Sequence, residues 1–111
     1  MVGQRASVTV LAAGSIGVGV LGLTRPQRLA AFVGVDEPTA RALGIRDLTN
    51  GLALATALMA GRDPRPALAA RAMFDVSDAV KYGRNDKRVL AGALTFAALA
   101  GLAYLRAGRE A

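Results

Sequence analysis

Cysteine, histidine and tryptophan are absent from this 111-residue chain, and three phenylalanines and two tyrosines are its only aromatic residues. The first two absences exclude disulfides, thiolate chemistry and any Cys/His metal site. Charge is sparse as well, at 20% of residues against 53% hydrophobic. The formal net charge is +6, from 14 basic and 8 acidic residues. Those basic residues are scattered singly between apolar stretches, without the run or aromatic-studded stripe that nucleic acid requires, so nucleic acid is not an expected partner. No phosphate loop, nucleophile elbow or metal box is present, and no cofactor is implied.

What the chain does have is apolar length. Residues 6–24 and 89–105 form two charge-free stretches, "ASVTVLAAGSIGVGVLGLT" and "VLAGALTFAALAGLAYL". Each approaches the roughly 17–25 residues needed to cross a bilayer. Between them, Asp36 and Pro38 are suited to open a helix that Gly61 and Pro64 end. Pro66 opens a further helix, ended by Gly83 and Asn85. The connection from Arg25 to Glu37 has room for a short amphipathic turn around "RLAAFVGV". The expected fold is all-α: one domain, residues 1–111, forming a four-helix transmembrane bundle with short turns and spans at about 6–24, 39–61, 67–83 and 88–105.

A soluble bundle would show a polar face on each helix, and the first and last helices show none. The modest mean hydropathy of +0.37 speaks for a soluble bundle. A signal peptide is a further reading of the first stretch, but no A-x-A site precedes Arg25. The balance favours a multi-pass protein of the cell membrane, with the lipid bilayer as its first partner. Orientation stays open: Arg5, Arg62, Arg65, Arg106 and Arg109 fall on one side, and Arg25, Arg28, Arg41, Arg84, Lys87 and Arg88 on the other. That near-balance suits a dual-topology homo-oligomer and a weakly biased monomer equally.

The chemistry concentrates in the inner helices. Arg71, Asp75, Asp78 and Tyr82 follow one another at spacings of four, three and four and form one stripe, flanked by Lys81. On the preceding helix Arg46, Asn50, Ala53 and Ala57 form another, with Asp47 beside it. Antiparallel counting from Pro64 sets Asp47 level with Lys81, Arg46 with Tyr82 and Asn50 with Asp78. Facing each other, the stripes would make a polar cleft widening toward the Arg25–Glu37 loop, with Asp75 deep and Arg46 and Asp47 at its mouth. Charges inside spans cost roughly 2.5–3.5 kcal/mol each and therefore pair. Arg71–Asp75 and Arg46–Asp78 are the expected pairs.

Three roles fit this pattern. The pairs are interhelical glue in a membrane scaffold, or the cleft binds or converts a lipophilic small molecule, or the aspartates relay protons for a transporter. For the second, Asp75 and Asp78 are the candidate acid–base groups, because carboxyls one turn apart repel when both ionise and are suited to share a proton. Arg46, Asp47, Asn50, Arg71, Lys81 and Tyr82 are the candidate binding residues. The outer helices are expected to be passive, with Ser15-x-x-x-Gly19 and Ala93, Ala97 and Gly101 as small-residue packing faces.

The Gly-x-Arg-Asp box at Gly44 to Asp47, Gly51 after it and Asp75-x-x-Asp78 on the next helix resemble an uncharacterised family of small four-helix integral membrane proteins of bacteria and fungi. The likeness implies membrane location, four spans and an Arg-Asp pair near the start of the second. It implies no activity. Small multidrug exporters share the length and span number, but the first helix here has no acid.

Overall fold

In the computed structural model of the chain, residues 2–83 and 86–110 are described, with side chains for 5–83 and 86–107. Arg84 and Asn85 of the reading above lie outside these, as does the side chain of Arg109. Five helices follow one another: α1 (Val2–Thr24), α2 (Pro26–Val33), α3 (Glu37–Ala60), α4 (Arg65–Tyr82) and α5 (Lys87–Glu110). There is no strand among the described residues. The expected short turn after Arg25 is thus a complete helix. Its Leu29, Ala30 and Val33 are buried against Ala40 of α3, and Gly34 ends it in the left-handed region, φ 83°.

Local chemistry sets the helix ends. Asp36 caps α3, its Oδ1 accepting the Thr39 amide at 2.8 Å, and Gly61 stops α3 at φ 65°. The Thr39 hydroxyl and amide together hold the Asp36 carboxyl below its ordinary value of 3.8. Pro64 precedes α4 without a side-chain cap, and Asp63 Oδ1 instead accepts the Arg65 amide at 3.0 Å.

Two of the helices, over Arg5–Thr24 and Lys87–Ala107, are long and apolar enough to cross a membrane. They do not pair chiefly with each other. Instead α1 packs along α3, and α4 along α5, while α3 and α4 touch only sparsely. The chain therefore forms two tight helix pairs with a looser seam between them. One core fills the centre, where Val8, Leu11 and Ala12 of α1 meet Leu54, Leu68, Ala100 and Ala103.

The α1/α3 contact depends on missing side chains. A Cβ on Gly44 would stand 2.9 Å from the Gly22 Cα and 3.1 Å from the Gly19 carbonyl oxygen. The two backbones touch there, so neither helix can yield by moving a side chain. The expected packing face Ser15-x-x-x-Gly19 is real at Gly19, where an added Cβ would strike the Leu48 backbone. The α5 face is not a close approach: nothing lies within 4 Å of a Cβ on Gly101.

Polarity on α3 and α4 runs inside out. Ile45, Leu52 and Met59, each seven apart, are exposed on α3, and Met73, Val76 and Val80 on α4. Arg71, Asp75, Asp47 and Asn50 are buried, at 2%, 4%, 6% and 6% exposure.

Two outcomes follow from these contacts. Gly44→Leu should destabilise the fold by about 1–3 kcal/mol through overpacking. Gly17→Leu, where an added Cβ meets nothing within 4 Å, should be neutral or better; thermal melts of both decide it. The Asp36 cap should be at full strength above the ordinary carboxyl value of 3.8 and fade as pH falls through its lowered folded value. Asp36→Ala should therefore lower the melting temperature at pH 7, and by progressively less as the pH falls below 3.8.

Candidate binding site

Five charged side chains join across the seam in one alternating row. Arg46 donates to both carboxylate oxygens of Asp78, at 3.0 and 2.7 Å. Its Nε donates to Asp47 Oδ1 at 3.1 Å. Arg71 Nη1 donates to the same Oδ1 at 3.2 Å, and Arg71 grips Asp75 with Nε at 3.1 Å and Nη2 at 2.7 Å. The order is Asp78, Arg46, Asp47, Arg71, Asp75. Arg71 Nη1 also donates to Ser15 Oγ on α1 at 2.9 Å. The Phe74 ring sits beneath both guanidiniums, 4.6 Å from Arg46 Cζ and 5.7 Å from Arg71 Cζ.

Both expected pairs, Arg46–Asp78 and Arg71–Asp75, form. The register differs from antiparallel counting. Asp47 meets Arg71 instead of Lys81, and Asn50 donates from Nδ2 to the Ala67 carbonyl at 3.0 Å instead of facing Asp78. The turn between Ala60 and Arg65 is centred before Pro64, and arginine stems reach along the helix axis to cover the remainder. Asp47 and Asp75 consequently share one arginine, so Asp47 is part of the interior row and not a residue of the mouth.

Two expected site residues stand apart from the row. Lys81 is exposed on α4. Tyr82 packs against the α2 cluster with Leu29 and Val33. A lysine three positions past Asp78 and six past Asp75 lies about 60° and 120° round the helix from them, at the flank of their face, and Tyr82 lies one turn beyond the row. Ser15 and Phe74 were the residues that periodicity missed. Ser15 falls on the buried face of α1 with Val8, Leu11 and Ala12, a pattern visible only once that face is known.

The polar stripes of α3 and α4 do not enclose one shared cleft. The α3 stripe, Arg46, Asn50, Ala53 and Ala57, lines a groove of about 610 Å³ whose other wall is Pro66, Ala67, Ala70 and Phe74 of α4. Arg62 and Asp63 also line it, so it extends to the Gly61–Pro64 turn, and no residue of α2 lines it. The α4 stripe, Arg71, Asp75 and Asp78, lines a separate cavity of about 310 Å³ on the α2 side, together with Asp47 and Ser15. The charged row is the partition between the two.

One atom beside the groove is out of balance. Asn50 Oδ1 is buried without a hydrogen-bond partner, although its own amide nitrogen is engaged. A buried acceptor left unmet costs about 1–3 kcal/mol.

The row makes a measurable claim about stability. Arg71→Met leaves Asp47 and Asp75 short of their shared cation and should cost about 3–5 kcal/mol. Lys81→Gln, at an exposed position, should change stability by less than about 0.5 kcal/mol. Denaturation of the two variants in parallel checks both. No protein family, curated protein or solved structure matches this chain.

Proposed function

We propose that the chain is a multi-pass protein of the cell membrane with four spans, and that the groove between α3 and α4 binds a lipophilic small molecule carrying a hydrogen-bond donor. The observation that carries the binding reading is the unpartnered, buried Asn50 Oδ1 beside a roomy groove with largely apolar walls. The apolar walls, Ala53, Ala57, Ala67 and Ala70, suit the body of such a molecule, and the edge of Arg46 is its one interior charge.

The inverted polarity of α3 and α4 supports the two additional spans. Helices with exposed Met59, Met73 and Val80 and inward-facing Arg71 and Asp75 fit lipid and not water. At 24 and 18 residues, they extend ~36 and ~27 Å, close to the hydrocarbon thickness. The resemblance carried by Arg46, Asp47, Gly51, Asp75 and Asp78 points the same way.

Binding is favoured over conversion. Asp75 and Asp78 are each held by two N–H groups of an arginine, which leaves little freedom to exchange a proton with a substrate. Their work in this reading is to tie the helix pairs together beside the groove.

Two measurements test the proposal. Alkaline carbonate should leave the protein in the membrane fraction; release without detergent removes the membrane reading. Native mass spectrometry from mild detergent should show a retained small molecule, lost in Ala53→Trp, which fills the groove, and reduced in Asn50→Leu. An adduct of equal occupancy in both folded variants would remove the groove reading.

A further inference from the structure

The cavity on the α2 side has a different chemistry from the groove. Its floor holds Asp47, Asp75 and Asp78, and the row that they belong to contains three carboxylates but only two guanidiniums. Lys81, which would balance the count, is exposed and outside it. Arg88 at the cavity's edge does not supply the missing charge, because it pairs with Asp86 at 2.9 Å and lies over the Phe32 ring, 5.3 Å from its centroid. The row is thus one negative charge in excess in a poorly solvated place, where an unbalanced charge draws a counter-ion strongly.

The excess has an address. Asp47 directs Oδ1 to both arginines, and its Oδ2 accepts no hydrogen bond among the described residues. The Asp47 side chain is 8% exposed, and the residue lines the cavity. The surrounding walls are largely apolar and include the rings of Phe32 and Phe96. Apolar walls around an unmet carboxylate oxygen select a positively charged donor on an apolar body.

We propose that the α2-side cavity is a binding site for a monovalent ammonium compound with an aromatic or alkyl body, its N–H meeting Asp47 Oδ2. This site is separate from the groove, on the other side of the charged row, and stands whether or not the groove is occupied.

The test is calorimetric titration of the full chain in mild detergent with 2-phenylethylammonium, and with 2-phenylethanol as the uncharged match. The amine should bind saturably, at least tenfold more tightly than the alcohol. Asp47→Asn, which removes the excess charge, should weaken the amine at least tenfold. Because that variant touches the buried row, Gly92→Phe provides an independent check: a Cβ there meets nothing within 4 Å, the residue lines the cavity, and the added ring should abolish binding in a folded protein. Equal binding of amine and alcohol, binding undiminished by Gly92→Phe, or no saturable amine binding would each overturn the proposal. The last would mean that a proton alone meets the charge. Ala53→Trp and Gly92→Phe fill separate spaces, so the failure of one site is distinguishable from the failure of the other.

Discussion

The charged row through Asp78, Arg46, Asp47, Arg71 and Asp75 is the constraint on which the rest of the molecule depends. The two helix pairs each have their own close packing, but α3 and α4 meet too sparsely for apolar contact to hold the pairs together there. Arginine bridges the gap because its planar head makes two bonds to one carboxylate and still reaches a second. Arg71 does so three ways, to Asp75, Asp47 and Ser15. A shorter or point-charged side chain would close one pair and leave the seam open.

The same row divides the interior into spaces of unlike character. On the side of the Gly61–Pro64 turn, small residues leave a long groove whose unmet atom is an amide oxygen. On the α2 side, the unmet atom belongs to a carboxylate and the walls include two phenylalanine rings. Because Arg46 and Arg71 both contact Asp47 Oδ1, a change of charge on either side of the partition is felt through a shared oxygen.

Much of this architecture was legible in the sequence where the information is local. Asp36 and Pro38 marked the start of α3, Gly61 its end, and the spacings of Arg71, Asp75 and Asp78 gave a stripe that does lie on one face. The pairs Arg71–Asp75 and Arg46–Asp78 followed from the cost of leaving a charge alone in an apolar helix. The α3 stripe from Arg46 to Ala57 was likewise found intact as the wall of the groove. What could not be read is what depends on distant partners. That α1 packs on α3 is a matter of Gly22 meeting Gly44, and a glycine-rich helix offers many such faces. The register of α3 against α4 was misplaced because arginine stems tolerate several residues of offset. Lys81 and Tyr82 were drawn in by nearness in sequence, although the helical period and the α2 cluster carry them elsewhere.

The meeting of α1 and α3 through glycine also governs the order in which the chain can assemble. Helix α1 emerges from the ribosome before α3, and its flat face at Gly19 and Gly22 has no partner until α3 has been made, with α2 interposed. Until α3 and α4 are made, the narrow glycine face of α1 is uncovered and Ser15 lacks the arginine it will accept from. Only when α4 arrives is that hydroxyl engaged. The first half of the chain is shaped early, and Ser15 on the buried face of α1 is met by its arginine late in synthesis.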